Sequence, residues 1–81
     1  MARYVIVIER ARHNFSAYAP DLPGCVATGR TRREARRRME EAMRFHFEGL
    51  RADGLVAPRP STMVAEVEYP KRRGRRPRRA A

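Results

Sequence analysis

The stretch from Thr31 to Gly54 constrains this chain most, because its apolar residues recur at helical spacing between two explicit end signals. Thr31 is a good N-cap, and Glu34 stands three residues on, where its carboxylate can bond back to the cap's backbone N–H. Asp53-Gly54 supplies a C′ glycine suited to the left-handed conformation, and Pro58 and Pro60 prevent continuation. Between these signals Ala35, Met39, Ala42, Met43, His46 and Leu50 share one face. Arg33, Arg37, Glu40, Glu41, Arg44, Glu48 and Arg51 fall opposite. There Arg36–Glu40, Arg37–Glu41, Glu40–Arg44 and Arg44–Glu48 are i,i+4 neighbours, worth roughly 0.2–0.5 kcal/mol a pair. A helix with one apolar stripe needs a sheet or another helix to lie on.

The rest of the chain offers a sheet. Arg3 to Glu9 reads as a strand, since Val5 to Ile8 are four β-branched residues in succession behind Tyr4. Tyr4, Ile6 and Ile8 point to one side, Val5 and Val7 to the other. Both sides are apolar, which predicts a central strand covered on two faces. Arg10 to Asn14 is a polar turn, with Asn14 tolerant of left-handed geometry. Phe15 to Ala19 returns antiparallel. Pro23-Gly24 fits the middle of a type II turn, and Cys25 to Gly29 makes a short third strand. After the helix, Thr62 to Tyr69 alternates Met63, Ala65, Val67 and Tyr69 against Thr62, Val64, Glu66 and Glu68, which predicts a fourth strand with one wet face. The expected fold is α+β in the order β-β-β-α-β, a four-stranded mixed sheet with one long helix on one face. A right-handed crossover would set strand four parallel to strand one, opposite strand two.

A chain of 81 residues buries only about 60% of its unfolded surface, so its own core is modest. Its one cysteine, Cys25, rules out an internal disulfide and a multi-cysteine zinc site. One helix covers one face, leaving Val5 and Val7 without cover. Phe47 lies at the edge of the helix stripe and Phe45 off it. These four residues predict an interface in a homodimer or higher oligomer. The apolar run near the start is too short for a signal peptide or a membrane span, so the expected setting is the cytoplasm, with no membrane partner.

Charge divides the chain in two. The net charge is +10, and Lys71, Arg72, Arg73, Arg75, Arg76, Arg78 and Arg79 supply seven of it, leaving +3 for residues 1–70. Residues 1–70 therefore read as the domain and 71–81 as a disordered arginine-rich tail with no apolar anchor. Seven cations without carboxylates would attract DNA or RNA phosphates non-specifically, with affinity falling as salt rises. An acidic stretch on a protein partner would serve as well. The Arg32-Arg33 and Arg36-Arg37-Arg38 cluster reads first as a solvated, ion-paired face.

Candidate reactive residues have plainer readings. His46, central on the apolar face, fits a core or interface position, and His13 lies in the hairpin turn. Cys25 has no evident base and reads as a small buried hydrophobe. Glu9, Glu34, Glu66 and Glu68 are the carboxylates a nuclease would have to gather around Mg²⁺. The middle of the first strand, where such a site normally has one, holds only Val5 to Ile8. No catalytic, metal or cofactor site is expected.

Asp21-Leu22-Pro23-Gly24-Cys25, then Thr28-Gly29-Arg30-Thr31 and Glu34-Ala35, resemble the HicB antitoxin family. Glu41-Ala42 and Asp53-Gly54 with Pro58 and Pro60 extend the resemblance, which covers about residues 3–69. It implies a partial ribonuclease H-like fold and a non-enzymatic antitoxin that neutralises a HicA-type mRNA interferase. Toxin contacts would then come from the sheet, from Asp21, Leu22, Pro23 and Gly24, or from Pro58 and Pro60. Family members often carry a C-terminal DNA-binding domain, whereas here the arginine tail follows Tyr69. The alternatives are a solitary HicB-like protein that binds nucleic acid through that tail and, more weakly, a ribonuclease H-like nuclease.

Overall fold

A computed structural model describes residues 2–71. The helix α1 (Arg32–Ala52) starts at its cap: Thr31 is extended, and its Oγ1 accepts the Glu34 N–H at 3.0 Å. The Glu34 carboxylate reaches one residue past the cap, accepting the Arg30 backbone N–H at 2.8 Å. That bond, with Arg38, Arg30 and Arg37 nearby, holds its pKa below the ordinary glutamate range. At the far end Gly54 takes φ +69°. Its N–H donates to Arg51 O at 3.0 Å and the Leu55 N–H donates to Leu50 O at 2.8 Å, the paired bonds of a Schellman cap. Of the four expected i,i+4 pairs, Arg36–Glu40 is formed, at 3.3 Å. Glu34 instead gathers Arg38 at 3.7 Å and Arg30 at 4.0 Å.

Beneath the helix lie β1 (Val7–Arg10), β2 (Phe15–Tyr18) and β3 (Val26–Gly29), antiparallel and in that spatial order. Val7 pairs with Tyr18 and Tyr18 with Val26, while Phe15 bridges Arg10 and Gly29. The expected centrality of the first strand is corrected: β2 is central and β1 lies at an edge. The hairpin closes with the Ala11 N–H on Asn14 O at 2.8 Å. Asn14 does not take the left-handed geometry, since among the described residues only glycines have positive φ.

Ala17, Ala19, Leu22, Cys25, Ala35 and Met39 form the buried core, and Tyr4, Ile6, Ile8 and Phe15 pack around it. Burying Met39 contributes about 1.5–3 kcal/mol. The helix settles mainly on β3 and hardly touches β1. The cause is Gly29: a Cβ there would stand 2.4 Å from Ala35 N, so only glycine admits the helix this close. Arg32 adds a cation–π contact, 5.1 Å above the Phe15 ring.

The expected fourth strand is not formed within the single chain. Thr62–Tyr69 forms no strand, and Met63, Val67 and Tyr69 are almost fully exposed. The chain before it is tied down at the amino-terminal end of β1, by Tyr4 on Pro58 and by Asp21 on Ser61 and Thr62. From there the segment leaves the body. The Cα radius of gyration is 17.5 Å, where a compact chain of this length would have about 11–12 Å. Period-two patterning marks residues that suit a strand, but it carries no information about whether or where such a strand pairs.

Candidate functional site

The loop after β2 and the connector after α1, expected separately as contact regions, form one surface. Asp21 joins them with four hydrogen bonds. Its carboxylate accepts the Ser61 N–H and Oγ–H at 2.9 Å each, the Thr62 N–H at 3.0 Å and the Thr62 Oγ1–H at 2.9 Å. Beside this, the Tyr4 hydroxyl donates to Pro58 O at 2.6 Å. The Pro23-Gly24 turn is type II as expected, with Gly24 at φ +81° and the Cys25 N–H on Leu22 O at 3.1 Å. It aims Leu22 into the core at 1% exposure and leaves Pro23 and Gly24 outside with Pro58 and Pro60. Leu22 is thus a core residue, unavailable for direct contact.

Hydrogen bonds from the Ser61 and Thr62 backbone, seconded by their hydroxyls, hold the Asp21 pKa at about 2 against an ordinary 3.8. Because the folded value lies below the unfolded one, the tie is complete above about pH 4 and is lost as pH falls through its folded value. An NMR titration of the Asp21 carboxyl should give a midpoint near 2, with the Ser61 and Thr62 amides losing protection together. A midpoint at the unperturbed value contradicts the tie.

Next to the Pro23-Gly24 turn, the free edge of β3 and the C-terminal half of α1 enclose a groove of about 410 Å³. Gly24, Val26, Phe45, His46 and Leu50 line it, with Cys25 at its floor. Phe45 is 79% exposed and Val26 65%, an unusual outlay of apolar surface for so small a chain. Sequence reasoning missed this groove. Phe45 lying off the core stripe was a signal, but Val26 reads as an ordinary strand residue until β3 is known to be an edge.

The four residues expected at an oligomer interface are not brought into one patch. Val5 and Val7 are half-buried, with Val7 in register with Tyr18 and Val26 on the sheet face away from the helix. Phe45 belongs to the β3 groove, whereas Phe47 packs on Tyr4 with ring centroids 5.2 Å apart. Burial pushes the Cys25 thiol pKa up, away from nucleophilic character. His46 stands edge-on to Phe47 at 6.2 Å. Among the described residues no three His, Cys, Asp or Glu side chains gather as a metal site would require, and no helix is long and apolar enough to cross a membrane. Of the cationic tail, Lys71 is described and exposed, and Arg72, Arg73, Arg75, Arg76, Arg78 and Arg79 lie outside the described residues.

The family described as HicB_like antitoxin of bacterial toxin-antitoxin system matches residues 4–75, almost the whole chain. The chain belongs to the HicB-like antitoxin family. It is 33% identical over 67 residues to an uncharacterized 14.9 kDa protein in the rep-hol intergenic region of Haemophilus phage HP1. That match covers 83% of this chain and 50% of the phage protein, so the chain spans about half the length of that relative. It is also 33% identical over 63 residues to a UPF0150 protein of Helicobacter pylori, covering 76% of this chain and 88% of that one. No solved structure matches. The HicB-like motif residues sit where the fold needs them: Gly24 in its turn, Gly29 under the helix, Thr31 at the N-cap and Gly54 just past the C-cap.

Proposed function

We propose that this chain is a non-catalytic cytoplasmic antitoxin that neutralises a HicA-type mRNA interferase by docking the toxin in the groove at the β3 edge. The observation that carries this reading is the exposed groove of about 410 Å³ in a chain of the antitoxin family. Phe45 and Val26 are its apolar anchors. The rim is the Pro23-Gly24 turn, backed by the connector that Asp21 holds in place. Two or more copies associate through the uncovered sheet face, where Val7 and Tyr18 stand in register on β1 and β2. The fold is then a partial ribonuclease H-like sheet whose fourth strand is Thr62–Tyr69.

Co-expression with the HicA-type toxin of a neighbouring reading frame tests the reading. Growth arrest by the toxin should be relieved and the two proteins should co-elute. Persistent arrest with no complex overturns it. A second reading is favoured by the seven cations from Lys71 to Arg79: the tail binds nucleic acid, with or without a toxin. In that case deleting residues 71–81 abolishes a DNA or RNA mobility shift at low salt.

A further inference from the structure

We infer that Thr62–Tyr69 is an exchanged strand: it completes the sheet of a second copy of this chain by lying along the free edge of that copy's β1. This rests on the self-association reading and adds an edge contact to the sheet-face contact proposed there.

Two unpaired β-patterned segments stand in the same molecule. One is the arm, whose Met63, Val64, Val67 and Tyr69 are 72–89% exposed. An extended soluble strand does not leave that much alternating apolar surface in water without a partner. The other is the edge formed by Arg3–Arg10. Tyr4, Val5 and Ile6 have strand-forming sequence but no ladder partner, since β1 pairs with β2 only from Val7 onward. Among the described residues the outer edge of β1 has no ladder partner.

The two fit each other. Eight residues of arm face eight of edge, each spanning about 26 Å when extended. Because α1 leans on β3, a groove of about 400 Å³ stays open beside β1, lined by Tyr4, Ile6, Ile8 and Met43 with Arg36 and Glu40 at its rim. A strand added here would lay Met63, Ala65, Val67 and Tyr69 over that groove and turn Val64, Glu66 and Glu68 outward. Charge agrees: residues 1–61 carry twelve arginines against seven carboxylates, and the arm brings two carboxylates and no cation. The partner is a second copy because the arm's root is fixed in its own chain. Tyr4 and Asp21 hold Pro58, Ser61 and Thr62 at the end of β1, and the arm beyond them runs out while the groove beside it stays open.

The test uses the full native chain. Sedimentation should give twice the 9.4 kDa chain mass or a multiple of that. In a dimer mixed from ¹³C-labelled and unlabelled chains, filtered NOEs should connect Met63 and Val67 methyls of one copy to Ile6 and Ile8 of the other. Glu66→Pro removes an arm N–H outside the folded body, so it should raise the dimer dissociation constant at least about tenfold with helical circular dichroism unchanged. An oligomer without these NOEs, or one indifferent to Glu66→Pro, leaves self-association standing and overturns the exchange. NOEs confined to single chains overturn it in favour of a strand within one copy. A monomer overturns both readings. None of these outcomes depends on a toxin.

Discussion

Gly29→Ala should lower the melting temperature of this chain by about 5–20 °C. Two effects oppose each other at this position. Alanine in place of a strand glycine restricts the unfolded chain, a gain of about 0.5–1 kcal/mol. Against it, the new methyl meets helix backbone: Ala35 N at 2.4 Å, Glu34 C at 2.8 Å and Ala35 Cα at 2.9 Å. No side chain can swing aside, so the first turn of α1 must lift from β3. Ala35, Met39 and Cys25 then lose close packing together, and overpacking of this kind costs typically 1–3 kcal/mol or more. The collision therefore wins. For a domain of this size each kcal/mol moves the midpoint by about 4–8 °C. Thermal unfolding followed at the helix band checks it, and an unchanged or raised midpoint would mean that the helix does not rest on β3 as described.

That glycine illustrates what could be read from residues alone. The helix was legible to its last turn, because Thr31, Glu34 and Gly54 act locally and each bond they make lies within five residues. The Pro23-Gly24 turn was legible for the same reason. What the pattern left open was long-range. Gly29 looked like a motif letter, and its purpose appears only once Ala35 is seen above it. Asp21 and Ser61 stand 40 residues apart, and no periodicity links them. The two-sided apolar pattern of Val5 to Ile8 predicts a central strand, yet an edge strand carries the same pattern here. Leu22 belongs to the loop that the resemblance implies as a toxin contact, yet the turn drives its side chain inward.

Phe45→Asp should weaken toxin binding at least about thirtyfold while leaving the melting temperature unchanged. An aromatic anchor at the centre of an interface typically accounts for 2 kcal/mol or more of affinity. Phe45 is 79% exposed in the free chain, so the fold asks little of it, and surface changes of this kind stay within about 0.5 kcal/mol of stability. Aspartate would also put a charge against Val26 and Leu50 in the groove, leaving it unpaired once a partner closes over it. Phe47→Asp makes the contrast. Its ring packs on Tyr4 in the body of the fold, so that variant should lose stability first. Calorimetric titration of each variant with the toxin separates the two roles. Equal affinity for wild type and Phe45→Asp would move the docking surface away from the β3 edge.

The most direct measurement is RNA cleavage by the purified HicA-type toxin as the full chain is titrated in. Cleavage should fall in proportion to added chain and stop near one chain per toxin, with Phe45→Asp failing to stop it at the same ratio. Undiminished cleavage in the presence of excess folded chain would contradict the account.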